Sequence, residues 1–236
     1  DRVLDFLYCL DVIVDYVHEH KIDLVVFAGD GFHSNNPSPA YISEVAARVK
    51  DISKQCPYVA MPGNHDQAIN RVSAMDFLDA VGMHNVYCND KPKSYTIETA
   101  AGKIFIGVLP YPQSSMYGLN RLVEDYQLNL LNAVHGTLDN WLDEAPADIP
   151  RMLLAHLTVS GSKYGEYREP LVKDFQLLVE DLSGWDYVAL GHIHLPQNVT
   201  EGTSYPPAIY PGSIERIDFG EADEDRCFVH GQIDKN

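Results

Sequence analysis

Short, mainly apolar runs recur along this 236-residue chain, and glycine, proline or polar residues follow each of them directly. Continuous apolar runs of about four to eight residues are typical of strands buried on both faces, as in a parallel sheet covered by helices. We therefore predict buried strands at Leu24–Ala28, Tyr58–Met61, Arg151–Ala155 and Tyr187–Leu190.

Segments with apolar residues at helical spacing lie between these runs. The predicted helices are Asp1–His20, Pro39–Gln55, Asn70–Val81, Leu119–Val134 and Thr137–Leu142. Further strands are predicted at Lys93–Glu98 and Lys103–Leu109, which form a hairpin, and at Ala208–Tyr210 and Arg226–Ile233, at the edge of a second sheet. The pattern predicts one α/β domain over residues 1–236, with mixed sheets flanked by helices.

Composition narrows the class of protein. Hydrophobic residues make up 45% of the chain and charged residues 22%, which suits a globular domain with a full core. No apolar run approaches the roughly 20 residues that cross a bilayer, so no membrane span is expected. The four cysteines form no C-x-x-C pair, which favours reduced thiols in a cytoplasmic protein. A formal charge of −17 argues against broad, nonspecific binding to nucleic acid or anionic lipid, but allows a local site.

Polar side chains follow each of the four buried strands, at the edge where ligands bind in open α/β sheets. They are Asp30 after the first strand, Asn64, His65 and Asp66 after the second, His156 after the third, and His192 and His194 after the fourth. Side chains two residues apart in an extended segment point the same way, so His192 and His194 face one spot.

This mixture of carboxylate, amide and imidazole suits a divalent metal such as Mn²⁺, Fe²⁺ or Zn²⁺, with Mg²⁺ as a further alternative. Two such ions, about 3.5–4 Å apart, would polarise a phosphoryl group and lower the pKa of a bridging water. We therefore predict a shared metal site with phosphoester hydrolysis as its chemistry.

These motifs resemble those of the calcineurin-like metallophosphoesterases. The matching blocks are Gly29-Asp30, Gly63-Asn64-His65-Asp66, the isolated His156 and Gly191-His192-Ile193-His194. Within that superfamily the segment Tyr210–Glu221, "YPGSIERIDFGE", is similar to the SbcD branch, the meiotic-recombination-eleven type of DNA-repair nuclease. The resemblance implies a sandwich of two mixed β-sheets flanked by helices. It also implies an exonuclease or endonuclease activity that acts on DNA in double-strand-break repair.

The resemblance also implies roles for individual residues. Asp30 would bridge two ions, Mn²⁺ above all. Asn64, His156 and His192 would complete the shell of the second ion, and His194 would bind the first. His65 would protonate the leaving 3′-oxygen or stabilise its charge, with Asp66 orienting the imidazole. His33 would help to position the strand. Apart from the resemblance, Lys163 and Arg168 follow His156 and Arg216 lies in the YPGSIERIDFGE segment, so these basic residues are candidates for phosphate contacts at the rim, with ordinary surface charge as the alternative.

The D-x-H block that opens the family pattern is absent from this sequence. Because that block ends a central strand of the sheet, we expect a strand with this motif upstream of Asp1 and a capping region after the C-terminus. Sequencing of the native N-terminus tests the first expectation. If Asp1 is the true start, only Asp30 and His194 remain for the first ion, and we expect one tightly held ion per chain.

Likeness to the SbcD branch implies partners. These would be DNA, an SbcC-type ABC ATPase with a coiled coil, and a second copy of the chain, which would contact helices Ala40–Lys54 and Asn70–Val81. Two alternatives remain open. One is a calcineurin-like phosphatase or nucleotide phosphodiesterase that acts on a substrate other than DNA. The other is a catalytically impaired scaffold.

Overall fold

The computed structural model describes residues 2–32, 36–67, 73, 75, 78, 82–122, 124–165, 174–217 and 219–234. Within them the helices are α1 (Arg2–His20), α2 (Pro39–Ser53) and α3 (Tyr126–Glu144). The strands, in chain order, are β1 (Val25–Phe27), β2 (Tyr58–Ala60), β3 (Val86–Cys88), β4 (Lys93–Thr99), β5 (Gly102–Leu109), β6 (Arg151–His156), β7 (Thr158–Val159), β8 (Gln176–Leu177), β9 (Tyr187–Gly191), β10 (Gln197–Asn198) and β11 (Ala208–Tyr210). Short 3₁₀ turns lie at Ser114–Tyr117, Val179–Leu182 and Phe219–Glu221.

These strands form two main sheets. The smaller sheet has the order β1-β2-β3, and its described pairs are all parallel. The larger sheet is mixed and has the order β10-β11-β9-β6-β5-β4, with antiparallel pairs at both ends. Strands β7 and β8 form a separate parallel pair. The predicted α/β fold with sheets flanked by helices is therefore confirmed, and the mixed pairing lies in the larger sheet.

The two sheets pack against each other, and helices cover their outer faces. In β2, Tyr58 and Ala60 pack towards α1 and α2, whereas Val59 packs towards the larger sheet. In β6, Leu154 faces the smaller sheet and Leu153 packs with α3. Because successive side chains of a strand point to opposite faces, the apolar runs fill a core on each side of both sheets. Parallel pairing of β1 with β2, and of β6 with β9, places their carboxyl ends at the same edge of each sheet.

The two helices predicted at Leu119–Val134 and Thr137–Leu142 are wrong in their bounds, because one helix, α3, begins only at Tyr126 and continues without a break to Glu144. Its buried residues, Leu130, Val134, Leu138 and Trp141, form one continuous stripe at helical spacing. Beyond its chain neighbours and the backbone of its own helix, nothing lies within 4 Å of where a Cβ of Gly136 would be, so that glycine lies outside the stripe and does not interrupt it. Core packing outweighs the weak helix propensity of one glycine.

The strand predicted at Arg226–Ile233 is also wrong, since these residues form no strand. The segment lies beside α1 instead, where Phe228 and His230 contact the ring of Tyr16. Arg226 instead directs its guanidinium to the carboxylates of Glu221 and Glu224, at 3.2 and 2.7 Å. The predicted helix Asn70–Val81 lies mostly outside the described residues, as do His33 and Arg168. None of the described helices is both long enough and apolar enough to cross a membrane.

Candidate metal centre

Four of the five predicted metal ligands meet at the shared strand edge. His156, at the end of β6, places its Nε2 atom 3.2 Å from Oδ2 of Asp30 and 3.0 Å from Oδ1 of Asn64. Nδ1 of His192 lies 2.9 Å from the same Asn64 oxygen. Residues as far apart in the chain as Asp30 and His192 thus bring two oxygens and two imidazole nitrogens to one place.

In each of the two imidazoles, the nitrogen that faces away from the site has its own hydrogen-bond partner, and that partner fixes which nitrogen faces the site. Nδ1 of His156 lies 2.5 Å from the carbonyl oxygen of Ala28, which can only accept a hydrogen bond. Nε2 of His192 lies 2.6 Å from a carboxylate oxygen of Asp174. In neutral imidazoles both protons are therefore engaged away from the site, and both lone pairs point at oxygen atoms. Such a cluster of electron-pair donors fits a bound cation.

The pKa values of Asp30 and His156 reflect the contact between these two side chains. Burial alone would raise the pKa of Asp30, but His156 and the backbone amide of His65 lower it below its usual value. Burial alone would lower the pKa of His156, but Asp30 and the Ala28 carbonyl raise it. The metal-free site therefore favours a carboxylate that faces a proton-binding imidazole. A divalent cation can take the place of that proton.

The backbone around the ligands is tightly constrained. A Cβ at Gly63 would lie 2.1 Å from Oδ1 of Asp30, and a Cβ at Gly191 would lie 1.9 Å from the Ala28 oxygen. Asp30 and His192 have φ angles of 56° and 94°, which non-glycine residues rarely adopt. Backbone conformations of this kind concentrate at functional sites.

Asp66 organises the loops beneath the ligands. Its carboxylate, 0% exposed, accepts hydrogen bonds from the backbone amides of Gly31, Phe32 and Gly63 at 2.9–3.0 Å. Burial raises the pKa of this carboxyl in spite of the three amides. The carboxylate thus ties the loop after β1 to the loop after β2. These contacts give Asp66 a scaffolding role, and its predicted action on the His65 imidazole stays a prediction.

His194 lies close to a different carboxylate. Its Nδ1 atom is 2.8 Å from Oε1 of Glu221, which is 2% exposed. The other Glu221 oxygen accepts from the amide of Ile217 at 2.7 Å and faces Arg226 at 3.2 Å. The predicted first-ion ligand is therefore anchored to the segment that resembles the SbcD branch.

The predicted rim cations have different surroundings. The guanidinium of Arg216 donates to the carbonyls of Glu221 and Glu224, at 3.1 and 2.9 Å, so its hydrogen bonds hold nearby parts of the same chain segment together. Lys163 has an exposed side chain, and its backbone pairs with the Gln197 side chain at 2.7–2.8 Å. The roles predicted for Arg216 and Lys163 at phosphate remain predictions.

Asp174 is a site residue that the sequence did not reveal. Besides His192, its carboxylate accepts from the hydroxyls of Tyr111 and Thr158, at 2.6 and 2.8 Å. Burial alone would raise its pKa, but hydrogen bonds from His192 and Tyr111 bring that pKa down to about 2. No strand-end motif marks Asp174, which lies two residues before the start of the two-residue strand β8 and 18 positions from His192.

The donor set of the site includes an amide oxygen as well as carboxylate and imidazole groups. Among the described residues, no group of three or more His, Cys, Asp and Glu side chains is arranged to hold an ion. The amide oxygen of Asn64 is the donor shared by His156 and His192. Asp30, Asn64, His156 and His192 together fit a divalent ion of borderline or hard character.

A comparison with protein-family models decides the family. The model described as calcineurin-like phosphoesterase matches residues 5–196. The chain belongs to the calcineurin-like phosphoesterase family. Membership in this metallophosphoesterase family implies divalent metals at the site, and it leaves the identity of the metal open.

Two curated proteins are similar to most of this chain. The chain is 29% identical over 224 residues to the DNA double-strand break repair protein Mre11 of Archaeoglobus fulgidus, covering 94% of this chain and 47% of that protein. It is 26% identical over 227 residues to the SbcD subunit of the nuclease SbcCD of Bacillus subtilis, covering 90% and 56%. The chain thus spans about half the length of these relatives.

Among solved structures, phosphopantetheinyl hydrolase from Mycobacterium tuberculosis superposes with a TM-score of 0.43 and 14% identity, over 80% of this chain and 78% of that one.

Proposed function

We propose that this protein is a metal-dependent phosphodiesterase that cleaves DNA, as the nuclease subunit of a double-strand-break repair complex. The observation that carries the proposal is the convergence of Asp30, Asn64, His156 and His192, with imidazole lone pairs directed at two oxygens. DNA is proposed as the substrate because both relatives are named for a nuclease or for break repair.

Each group at the site has a proposed task. A divalent ion held by the four converging side chains would supply Lewis acidity to the phosphodiester and to water. His65 is exposed, and its amide donates to Oδ1 of Asp30 at 2.9 Å, which places the residue at the mouth of the site. Its imidazole would give a proton to the leaving 3′-oxygen. Asp66 would act indirectly, by holding the two loops together.

We propose Mn²⁺ as the physiological ion, with Fe²⁺, Zn²⁺ and Mg²⁺ as alternatives. The four converging ligands suffice for one ion. A second ion, next to Asp30 and His194, needs ligands that this sequence does not contain in a D-x-H block. We therefore expect this 236-residue chain to retain one Mn²⁺ after dialysis, as measured by elemental analysis. Two retained ions per chain would contradict this expectation.

Hydrolysis assays test the substrate class. With Mn²⁺ we expect the protein to cleave linear duplex DNA and bis-p-nitrophenyl phosphate, and to leave mononucleotides intact. Efficient hydrolysis of small nucleotides without cleavage of DNA would instead favour the phosphatase or nucleotide phosphodiesterase alternative, which the named relatives do not support.

The variant His65→Ala tests the catalytic assignment. We expect a loss of DNA cleavage of about 10²-fold or more, because a positioned acid contributes that much, while bound Mn²⁺ is unchanged. His84→Ala, at another exposed histidine, is the matched control and should keep full activity. Unaltered turnover in His65→Ala would refute the role of His65. No turnover at all by the native protein would favour the scaffold alternative.

We also propose the partners and location of the branch: an SbcC-type ABC ATPase, a homodimer and the cytoplasm. Free thiols at all four cysteines support a reducing compartment. On α2, Val49 is buried in the core beside the smaller sheet, whereas Ile42 and Val45 are only partly buried there and keep some exposed surface. Tyr41, 42% exposed, remains available on that helix.

A further inference from the structure

We propose that Asp174 is a positioning residue, which holds the His192 imidazole so that Nδ1 faces the ion site. The inference rests on the proposed metal centre and adds to it a carboxylate that no motif identifies. Carboxylates that hold the far nitrogen of a ligating histidine fix its tautomer and ring orientation.

The fold brings Asp174 to His192 by a short path. Thr158 begins β7, two residues after His156, and its register partner in β8 is Gln176. Asp174 precedes that strand and therefore lies beside the ends of β6 and β9. Its side chain is 6% exposed, so water competes little for its oxygens.

Both oxygens of Asp174 are held in place. Oδ1 accepts from Tyr111 at 2.6 Å, and Oδ2 accepts from Thr158 at 2.8 Å while lying 2.6 Å from Nε2 of His192. The Tyr111 ring also lies 5.5 Å from the His192 ring, between centroids. A carboxylate held from two sides presents its remaining acceptor position to the imidazole in a single orientation.

The Asp174 carboxylate determines which nitrogen of a neutral His192 carries the proton. A carboxylate accepts and cannot donate, so Nε2 carries the proton and Nδ1 keeps its lone pair. That lone pair is on the atom 2.9 Å from Oδ1 of Asn64. Without Asp174, the proton can sit on either nitrogen and the ring can turn. His192 would then offer its lone pair to the site for only part of the time.

The first test is nitrogen-15 NMR of the imidazoles in the metal-free protein, with His192 assigned by substitution. In the native protein we expect neutral His192 to carry its proton on Nε2. In Asp174→Asn we expect a mixture of tautomers, because an amide can donate as well as accept. A native His192 protonated on Nδ1, or an unchanged tautomer in the variant, would overturn the proposal.

The second test is a Mn²⁺ titration followed by electron paramagnetic resonance. We expect Asp174→Asn to bind Mn²⁺ about 10- to 100-fold more weakly than the native protein. Asp181→Asn is the matched control, because its carboxylate lies 3.2 Å from a different imidazole, His135 on α3. Equal losses in both variants, or none in Asp174→Asn, would overturn the proposal.

Tyr111→Phe keeps the proposal testable if Asp174→Asn fails to fold. It removes one hydrogen bond from the Asp174 carboxylate and leaves His192 untouched, so we expect a smaller loss of Mn²⁺ affinity and a partial tautomer shift. No change in either measurement would count against the proposal. The NMR result needs neither ion nor DNA. A protein that shows the expected tautomer but cleaves no DNA would refute the proposed function alone.

Discussion

Asp66 joins the loops that carry Asp30 and Asn64 through three backbone amides, and it does so without exposure to solvent. At the scale of single residues, the ion site therefore depends on a carboxylate that does not face the ion. The sequence placed Asp66 in the GNHD motif but could not distinguish a loop anchor from a partner of His65. That distinction depends on Gly31 and Phe32, which lie more than 30 positions earlier in the chain.

Asp66→Asn should destabilise the fold, because one of its two acceptor oxygens becomes a donor that faces backbone N–H groups. We expect the free energy of unfolding to fall by about 1–3 kcal/mol, as for a buried polar group left unsatisfied. Urea denaturation measures this change, and Asp223→Asn, at an exposed position, is the control. An unchanged midpoint in Asp66→Asn would refute the anchoring role.

At the scale of elements, the length of a strand decides whether the sequence can predict it. The buried strands were predicted because continuous apolar runs are read directly, and β2, β6 and β9 lie where expected. The two-residue strands β7, β8 and β10 were not predicted, since two residues have no periodicity. Asp174 was missed for the same reason, because only the pairing of β7 with β8 brings it to His192.

Gly136→Ala tests whether α3 is one continuous helix. A methyl group there would meet nothing within 4 Å beyond its chain neighbours and the backbone of its own helix, so alanine should stabilise the protein by about 1 kcal/mol through helix propensity alone. Thermal denaturation followed by circular dichroism measures the gain. Gly202→Ala is the contrasting variant, because its φ of 75° disfavours alanine and should lower the melting temperature. A loss of stability in Gly136→Ala would indicate a break in the helix.

At the scale of the whole molecule, the ion site joins both sheets. Asp30 and Asn64 follow strands of the smaller sheet, whereas His156 and His192 belong to the ends of strands in the larger one. An ion bound by all four ligands therefore stabilises the native arrangement of the sheets and has no equivalent site in the unfolded chain.

Mn²⁺ should raise the melting temperature for this reason. At 100 times the dissociation constant, we expect about 2.7 kcal/mol of added stability, by mass action. Asn64→Ala removes the oxygen shared by His156 and His192, so its melting temperature should respond little to Mn²⁺. Differential scanning calorimetry with and without the ion provides the measurement. Equal shifts in both proteins would mean that Mn²⁺ binds elsewhere.

The backbones of the two sheets come into contact at the floor of this site. His156 lies 2.5 Å from the Ala28 carbonyl, and a methyl group at Gly191 would lie 1.9 Å from the same oxygen. A chain whose sheets have not yet docked keeps its ligands in two separate pairs. During refolding, tight uptake of Mn²⁺ should therefore lag behind formation of the core between the sheets, and early collapsed chains should bind the ion no better than unfolded ones.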